Sequence, residues 1–220
     1  MFVKDRMNTD PICGSPEMAV TDAQDLMSKN QIHHLPIVDE KQQLIGLITR
    51  SAVNSAIPSD VSNFSRFEIS YTLSKIKTKS IMVKNVVTIE PDTPIELAAS
   101  LMASKRIGSL VVVSDNTIVG IITGEDLFNA MTTLLGAMNP GIRITVRQPD
   151  DSGVIARLTT AIAEEGGFLT VCVGYPPKNH PDQWVSVCKV KNIKEERLEE
   201  IVCDLKNTTI LDIRQFQEYS

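Results

Sequence analysis

The heptapeptide Gly120-Ile121-Ile122-Thr123-Gly124-Glu125-Asp126 carries the side chains in this chain best suited to hold a sugar phosphate. A β-branched run ending at Thr123, with a helix starting near Asp126, leaves free backbone N–H groups and a hydroxyl where a phosphate or ribose can sit. An ionised Asp126 accepts hydrogen bonds from two neighbouring ribose hydroxyls, each contributing about 1.5–3 kcal/mol. An acid three residues after a threonine also caps a helix, and a binding role has to be weighed against that one. An earlier stretch, Gly46-Leu47-Ile48-Thr49-Arg50-Ser51-Ala52, has the same form but ends on Ala52. Loss of the acid weakens a ribose-anchored site by roughly ten- to a hundred-fold, which predicts one good site per chain.

Other chemistries find little support. The sequence contains no Gly-x-x-x-x-Gly-Lys phosphate loop and no Gly-x-Ser-x-Gly nucleophile turn, so a non-enzymatic protein is expected. His33 and His34 are adjacent on an extended segment and point to opposite faces, and His180 belongs to a different part of the chain; no metal site is expected. Cys13, Cys172, Cys188 and Cys203 lack CxxC spacing and sit among apolar neighbours, which predicts buried reduced thiols. A net charge of -5 and a pI near 5.3 disfavour nucleic acid as a partner. The first residues do not resemble a secretory leader, and no apolar run reaches the roughly 18 residues of a membrane span. A soluble, cytoplasmic protein without a membrane partner is the expectation.

The elements that position these residues occur twice. Met7 to Val53 and Met82 to Leu127 share one pattern: Met7 aligns with Met82, Pro16 with Pro91, Leu35 with Leu110 and, after a one-residue deletion, Gly46–Thr49 with Gly120–Thr123. Two copies of a unit too small to bury its own core imply a pseudo-symmetric pair. Each copy begins with a short apolar stretch (Pro11-Ile12-Cys13; Val86 to Ile89), and a helix follows. Val20, Ala23 and Met27 in one copy, and Ile95, Ala98 and Met102 in the other, form its apolar stripe. Thr93 is the expected N-cap of the second such helix, with Pro94 in its first turn. A β-hairpin and a second helix complete each copy, and Ile69, Leu73 and Ile76 predict a connecting helix between the copies.

Nothing after Asn139-Pro140-Gly141 matches either copy. The expected organisation is repeat one over 1–56, a helical linker over 57–77, repeat two over 78–138 and a further domain over 139–220. In the last, Ile142, Ile144 and Val146 mark a strand; Ile155, Leu158 and Ile162 a helix; Phe168 to Tyr175 and Trp184 to Val190 two strands; Leu198, Ile201 and Leu205 a helix; and Ile210 to Phe216 a final strand. The order βαββαβ predicts two helices on one face of an antiparallel sheet, an α+β arrangement beside the mixed α/β repeats.

The doubled strand-helix-strand-strand-helix pattern, with Gly120 to Asp126, resembles tandem CBS domains over about residues 1–136. That resemblance implies a regulatory module that binds AMP, ADP, ATP or S-adenosylmethionine between its repeats, with no required cofactor. It implies a site of Ile121, Thr123, Glu125 and Asp126 from the second copy and Ile12, Ile32 and His33 from the first, with His34 and Ser109 as weaker candidates. Residues 142–218, with Asp150-Asp151-Ser152-Gly153 between strand and helix, resemble an ACT domain. The implied ligand there is an amino acid at Asp150, Ser152 and Gly153, where glycine permits close approach to the helix N-terminus. The order of domains is similar to that of acetoin-utilisation accessory proteins. A homodimer regulating another protein is expected; a ligand-independent dimerisation scaffold, or an enzyme with an unrecognised site, is the alternative.

Overall fold

In a computed structural model, residues 1–56, 71 and 74–216 are described, and the chain divides into two compact units, Met1–Phe128 and Asn129–Ser220. The division falls inside a helix, upstream of the 138/139 boundary read from the sequence.

In the first unit, helix α1 (Val20–Lys29) leads into the hairpin β1 (His34–Val38) and β2 (Leu44–Thr49), then the short α2 (Arg50–Ser55). After α3 (Thr78–Ile81), the second copy contributes β3 (Thr88–Ile89), α4 (Ile95–Lys105), β4 (Ser109–Ser114), β5 (Thr117–Thr123) and α5 (Gly124–Leu134). The predicted helical stripes are the buried ones: Val20, Ala23 and Met27, and Ile95, Ala98 and Met102. Leu35, Ile37 and Ile48 are fully buried with the first set, and each such side chain stabilises the fold by about 1.5–3 kcal/mol. The hairpins match even in their irregularities, with register shifts at Ile37/Val38 and at Val112/Val113.

Helix α4 departs from expectation. Pro94 itself is the N-cap, at ψ 139°, because it lies in a bridge with Phe2 that holds it extended; Thr93 donates its N–H to Glu90 O instead of capping. The expected linker helix falls mostly outside the described residues. Ile76 is described: it packs on the first copy's core and its carbonyl accepts from Val20 N at 2.9 Å.

The two copies complete one another. Asn8 pairs with Ile121 of the second copy, and its counterpart Val83 pairs with Leu47 of the first. Phe2 bridges Pro94, and Lys77 bridges Ala19 in the same way. The chain leading into each copy thus joins the other copy's sheet, and glycine makes room for it. A Cβ on Gly120 would lie 2.7 Å from Asn8 O and 2.8 Å from Met7 Sδ, and one on Gly46 would lie 2.4 Å from Met82 Sδ.

The second unit is an antiparallel four-stranded sheet in the order β7-β8-β6-β9, built from β6 (Gly141–Pro149), β7 (Phe168–Tyr175), β8 (Gln183–Lys191) and β9 (Thr209–Phe216). Helices α6 (Val154–Glu164) and α7 (Glu195–Cys203) supply Leu158, Ile162, Leu198 and Val202 to a core with Ile142, Ile144, Val146, Cys188 and Val190. The expected βαββαβ order is present. The cysteines differ from expectation: Cys188 is buried, but Cys172 and Cys203 are exposed. Cys172 sits directly opposite Cys188, Sγ to Sγ 3.5 Å, yet on an edge strand that the core covers incompletely.

Candidate functional site

β5 delivers Thr123 to the start of α5, and Asp126 folds back onto it. Asp126 Oδ2 accepts from Thr123 N at 2.8 Å and from Thr123 Oγ1 at 2.7 Å, while Asp126 N points at Thr123 Oγ1 over 3.4 Å. This is a reciprocal capping box. It occupies Oδ2 alone; Oδ1 has no protein hydrogen bond among the described residues. In the first copy, Thr49 Oγ1 accepts from Ala52 N at 3.1 Å and lies 2.9 Å from Ser51 Oγ, with no acid to close the box.

Thr123 and Asp126 open onto a cleft of about 450 Å³ between the copies, with Ile121 and Glu125 beside them and Ile32, His33 and His34 across from them. Two expected residues do not line it. Ile12 is half-buried against the first copy's core, and Ser109, paired with Thr123 across the hairpin, is 4% exposed and does not line the cleft, its Oγ without a partner among the described residues.

Asn8, Gln31, Gly108 and Phe128 line the cleft without having been foreseen. Asn8 arrives through the crossed leading segment, its N–H on Ile121 O at 2.9 Å. Gly108 has a visible cause, because a Cβ there would sit 3.3 Å from His34 Nε2. Burial, followed by the neighbouring His33, pushes the His34 imidazole below its ordinary range and favours the neutral ring. Where the second copy has Gly108 and Gly124, the first has His33 and Arg50. Arg50 Nη1 lies 3.1 Å from His33 Nε2, which must accept, because a guanidinium only donates.

In the second unit, Asp150, Ser152 and Gly153 are all exposed around the start of α6, where Gly153 is the N-cap at φ +81°. The adjoining cleft of about 430 Å³ is lined instead by Asp151, Arg157 and the loop 204–208. Arg157 donates to Ser152 O at 3.0 Å and pairs with Asp151, laying a cation over the helix start that the sequence reading missed. Among the described residues no cluster of three or more His, Cys, Asp or Glu could hold a metal ion, and no helix is long and apolar enough to cross a membrane.

Two crossed copies of one helix-strand-strand-helix unit, preceded by strand β3 in the second copy and by only a Gly14–Ile37 bridge in the first, with a cleft between them, define a paired-repeat module. The sequence profile of the CBS domain matches residues 3–59 and 79–133, and the chain belongs to the CBS-domain family. CBS domains are generally regulatory rather than catalytic. Among solved structures, the CBS domain pair of protein MJ0100, in complex with 5′-methylthioadenosine and S-adenosyl-L-methionine, is 30% identical with a TM-score of 0.52, covering 60% of this chain and 97% of that one. A putative acetoin utilization protein (AcuB) from Vibrio cholerae is 27% identical with a TM-score of 0.52, covering 62% and 93%. L-aspartate semialdehyde sulfurtransferase of Methanocaldococcus jannaschii is 32% identical over 127 residues, 57% of this chain and 22% of that enzyme. Homoserine O-acetyltransferase of Methanohalobium evestigatum is 33% identical, over 57% of this chain and 23% of the enzyme. The chain thus spans less than a quarter of the length of these two enzymes, and the likeness lies in their CBS region.

Proposed function

We propose that this protein is a non-enzymatic regulatory sensor whose CBS pair binds one adenosine compound per chain, of the class AMP, ADP, ATP or S-adenosylmethionine. The observation that carries the reading is the Thr123–Asp126 capping box on the rim of the cleft, with Asp126 Oδ1 left for ribose hydroxyls. The cleft volume of about 450 Å³ falls within the approximately 300–1,000 Å³ usual for ligand pockets. Ile32 and Ile121 offer apolar faces to a purine, and His33 and His34 offer polar edges. The likeness to an adenosine-bound CBS pair supports the same class of ligand. Ala52, and the Arg50–His33 pair in place of two glycines, argue against an equal second site.

The βαββαβ second unit is consistent with an ACT domain, and its ligand reading is an amino acid at the start of α6, near Asp150, Ser152 and Gly153, with Arg157 added as the carboxylate's counter-ion. A homodimer is supported by the exposed apolar residues Phe128, Met131 and Leu134 of α5, with Met138 beyond it. A ligand preferring one arrangement of such a dimer shifts its population and so changes the activity of a regulated partner, in the cytoplasm and without nucleic acid or membrane. The test is a thermal-shift panel of AMP, ADP, ATP, NADH, S-adenosylmethionine and amino acids on wild type and Asp126→Asn. A ligand at 100 times its Kd adds about 2.7 kcal/mol of stability. Silence across the adenosine compounds, or identical shifts in the variant, would overturn the proposal.

A further inference from the structure

The face of the second unit's sheet opposite its helices holds a lysine that no carboxylate among the described residues neutralises. Lys189, on the central strand β8, is only 3% exposed. Its ammonium donates to the Gly136 carbonyl and lies 4.4 Å from the centre of the Phe216 ring, and it forms no ion pair among the described residues. A covered ammonium is ordinarily paired, because its desolvation is costly and one carbonyl and one aromatic face offset that cost only in part.

Its charged neighbours make matters worse. Arg143 lies directly opposite Lys189 on β6, Arg214 lies opposite Arg143 on β9, and Lys191 follows on the same face of β8. The one carboxylate there among the described residues, Asp212, is already held by Arg143 at 3.1 Å and by Arg214. Burial, then Arg143 and Lys191, accordingly push the Lys189 ammonium below the usual lysine range.

The ammonium borders a cavity of about 200 Å³ that Arg143 and Cys188 also reach and whose other walls are apolar: Leu135, Ala137, Val171, Val187 and Phe216. We propose that this cavity binds a small monocarboxylate with a short aliphatic body, its carboxylate on the Lys189 ammonium and its apolar end against Val171 and Val187. The volume sets the size, being below the approximately 300 Å³ at which ordinary ligand pockets begin. Arg143 also reaches the wall but is held by Asp212, which leaves the Lys189 ammonium to set the charge; a phosphate dianion would turn most of its acceptors toward apolar walls. Its lining shares no residue with the cleft between the CBS copies or with the cleft at the start of α6.

Methyl and aromatic NMR of the full chain, titrated with isobutyrate, tests this. The expected result is a saturable response confined to Val171, Val187 and Phe216, with isobutanol and inorganic phosphate giving none. Lys189→Met, which keeps the length of the side chain and removes its charge, should bind about tenfold more weakly or worse. Its melting temperature should equal or exceed that of wild type, because a buried unpaired charge is gone. Should Lys189→Met fail to fold, Lys189→Gln in the same titration decides the role of the charge. No saturable response to isobutyrate, an equal response to isobutanol or to phosphate, or unchanged affinity in the lysine variant would each overturn the proposal.

Discussion

Asp126 Oδ2 takes both the N–H and the hydroxyl of Thr123, so one carboxylate oxygen caps the helix and the other is left over. Asp126→Ala should therefore do two things: lose about 0.5–2 kcal/mol of stability with the cap, and weaken the adenosine compound by about tenfold or more. Asp126→Asn separates the two, keeping a cap acceptor and near-native melting while still losing affinity. Ala52→Asp should create a second site by completing the box on Thr49. Calorimetry that finds two equal sites in the wild type would refute this asymmetry.

Gly46 and Gly120 occupy equivalent positions but face different obstacles. The Cβ of Gly120→Ala would meet a backbone carbonyl, Asn8 O, whereas that of Gly46→Ala would meet the Met82 side chain, which can swing aside. Overpacking of this kind costs about 1–3 kcal/mol, and the larger cost should fall on Gly120→Ala. Thermal melts giving the reverse order would mean that Asn8 can yield and Met82 cannot.

His34 should impose an acid limit on stability. Its folded-state imidazole titrates below the ordinary value of 6.5, so between the two values the unfolded chain binds more protons. Stability from this group is therefore fully present above about pH 6.5 and is lost as pH falls through that window. Melting temperatures of His34→Gln should vary less between neutral and mildly acidic pH than those of wild type; equal slopes would assign the loss to other groups.

The thiols should react in two classes. Cys172 and Cys203 are exposed and should alkylate readily with iodoacetamide, whereas burial and the adjacent Cys172 push the Cys188 thiol far up. Peptide mapping that shows Cys188 modified as fast as Cys172 in the native state would contradict that placement.

Association should depend on α5. A charge at Met131, which is 51% exposed, should leave the fold intact and shift light scattering at micromolar concentration from dimer to monomer. A wild-type chain already monomeric there would remove the dimer from the proposal.

Most of the fold was legible because it is written in periodicity: the stripe through Val20, Ala23 and Met27 and its echo at Ile95, Ala98 and Met102 are local and doubled. The crossing was not legible. It rests on single bridges such as Phe2 with Pro94, and an isolated backbone pair leaves no side-chain pattern. That gap accounts for the one misplaced cleft residue from the chain's beginning, since the sequence pointed to Ile12 while the crossing brings in Asn8. Gly108 carried a faint signal, as a glycine where the other copy has His33, but its meaning needs the His34 ring beside it. Arg157 carried none, being one of several arginines until α6 turns it over Ser152.

The crossed leading segments also govern how this protein can be taken apart. Neither CBS copy owns all the backbone that its sheet requires, so a single copy expressed alone would present unpaired N–H and C=O groups at its rim. Two fragments severed within 57–70 would instead each hold what the other lacks, the arrangement used in split-protein reassembly. Pairing residues as far apart in sequence as Phe2 and Pro94 should slow the folding of the intact chain, since these contacts form only once the second copy's first helix is in place.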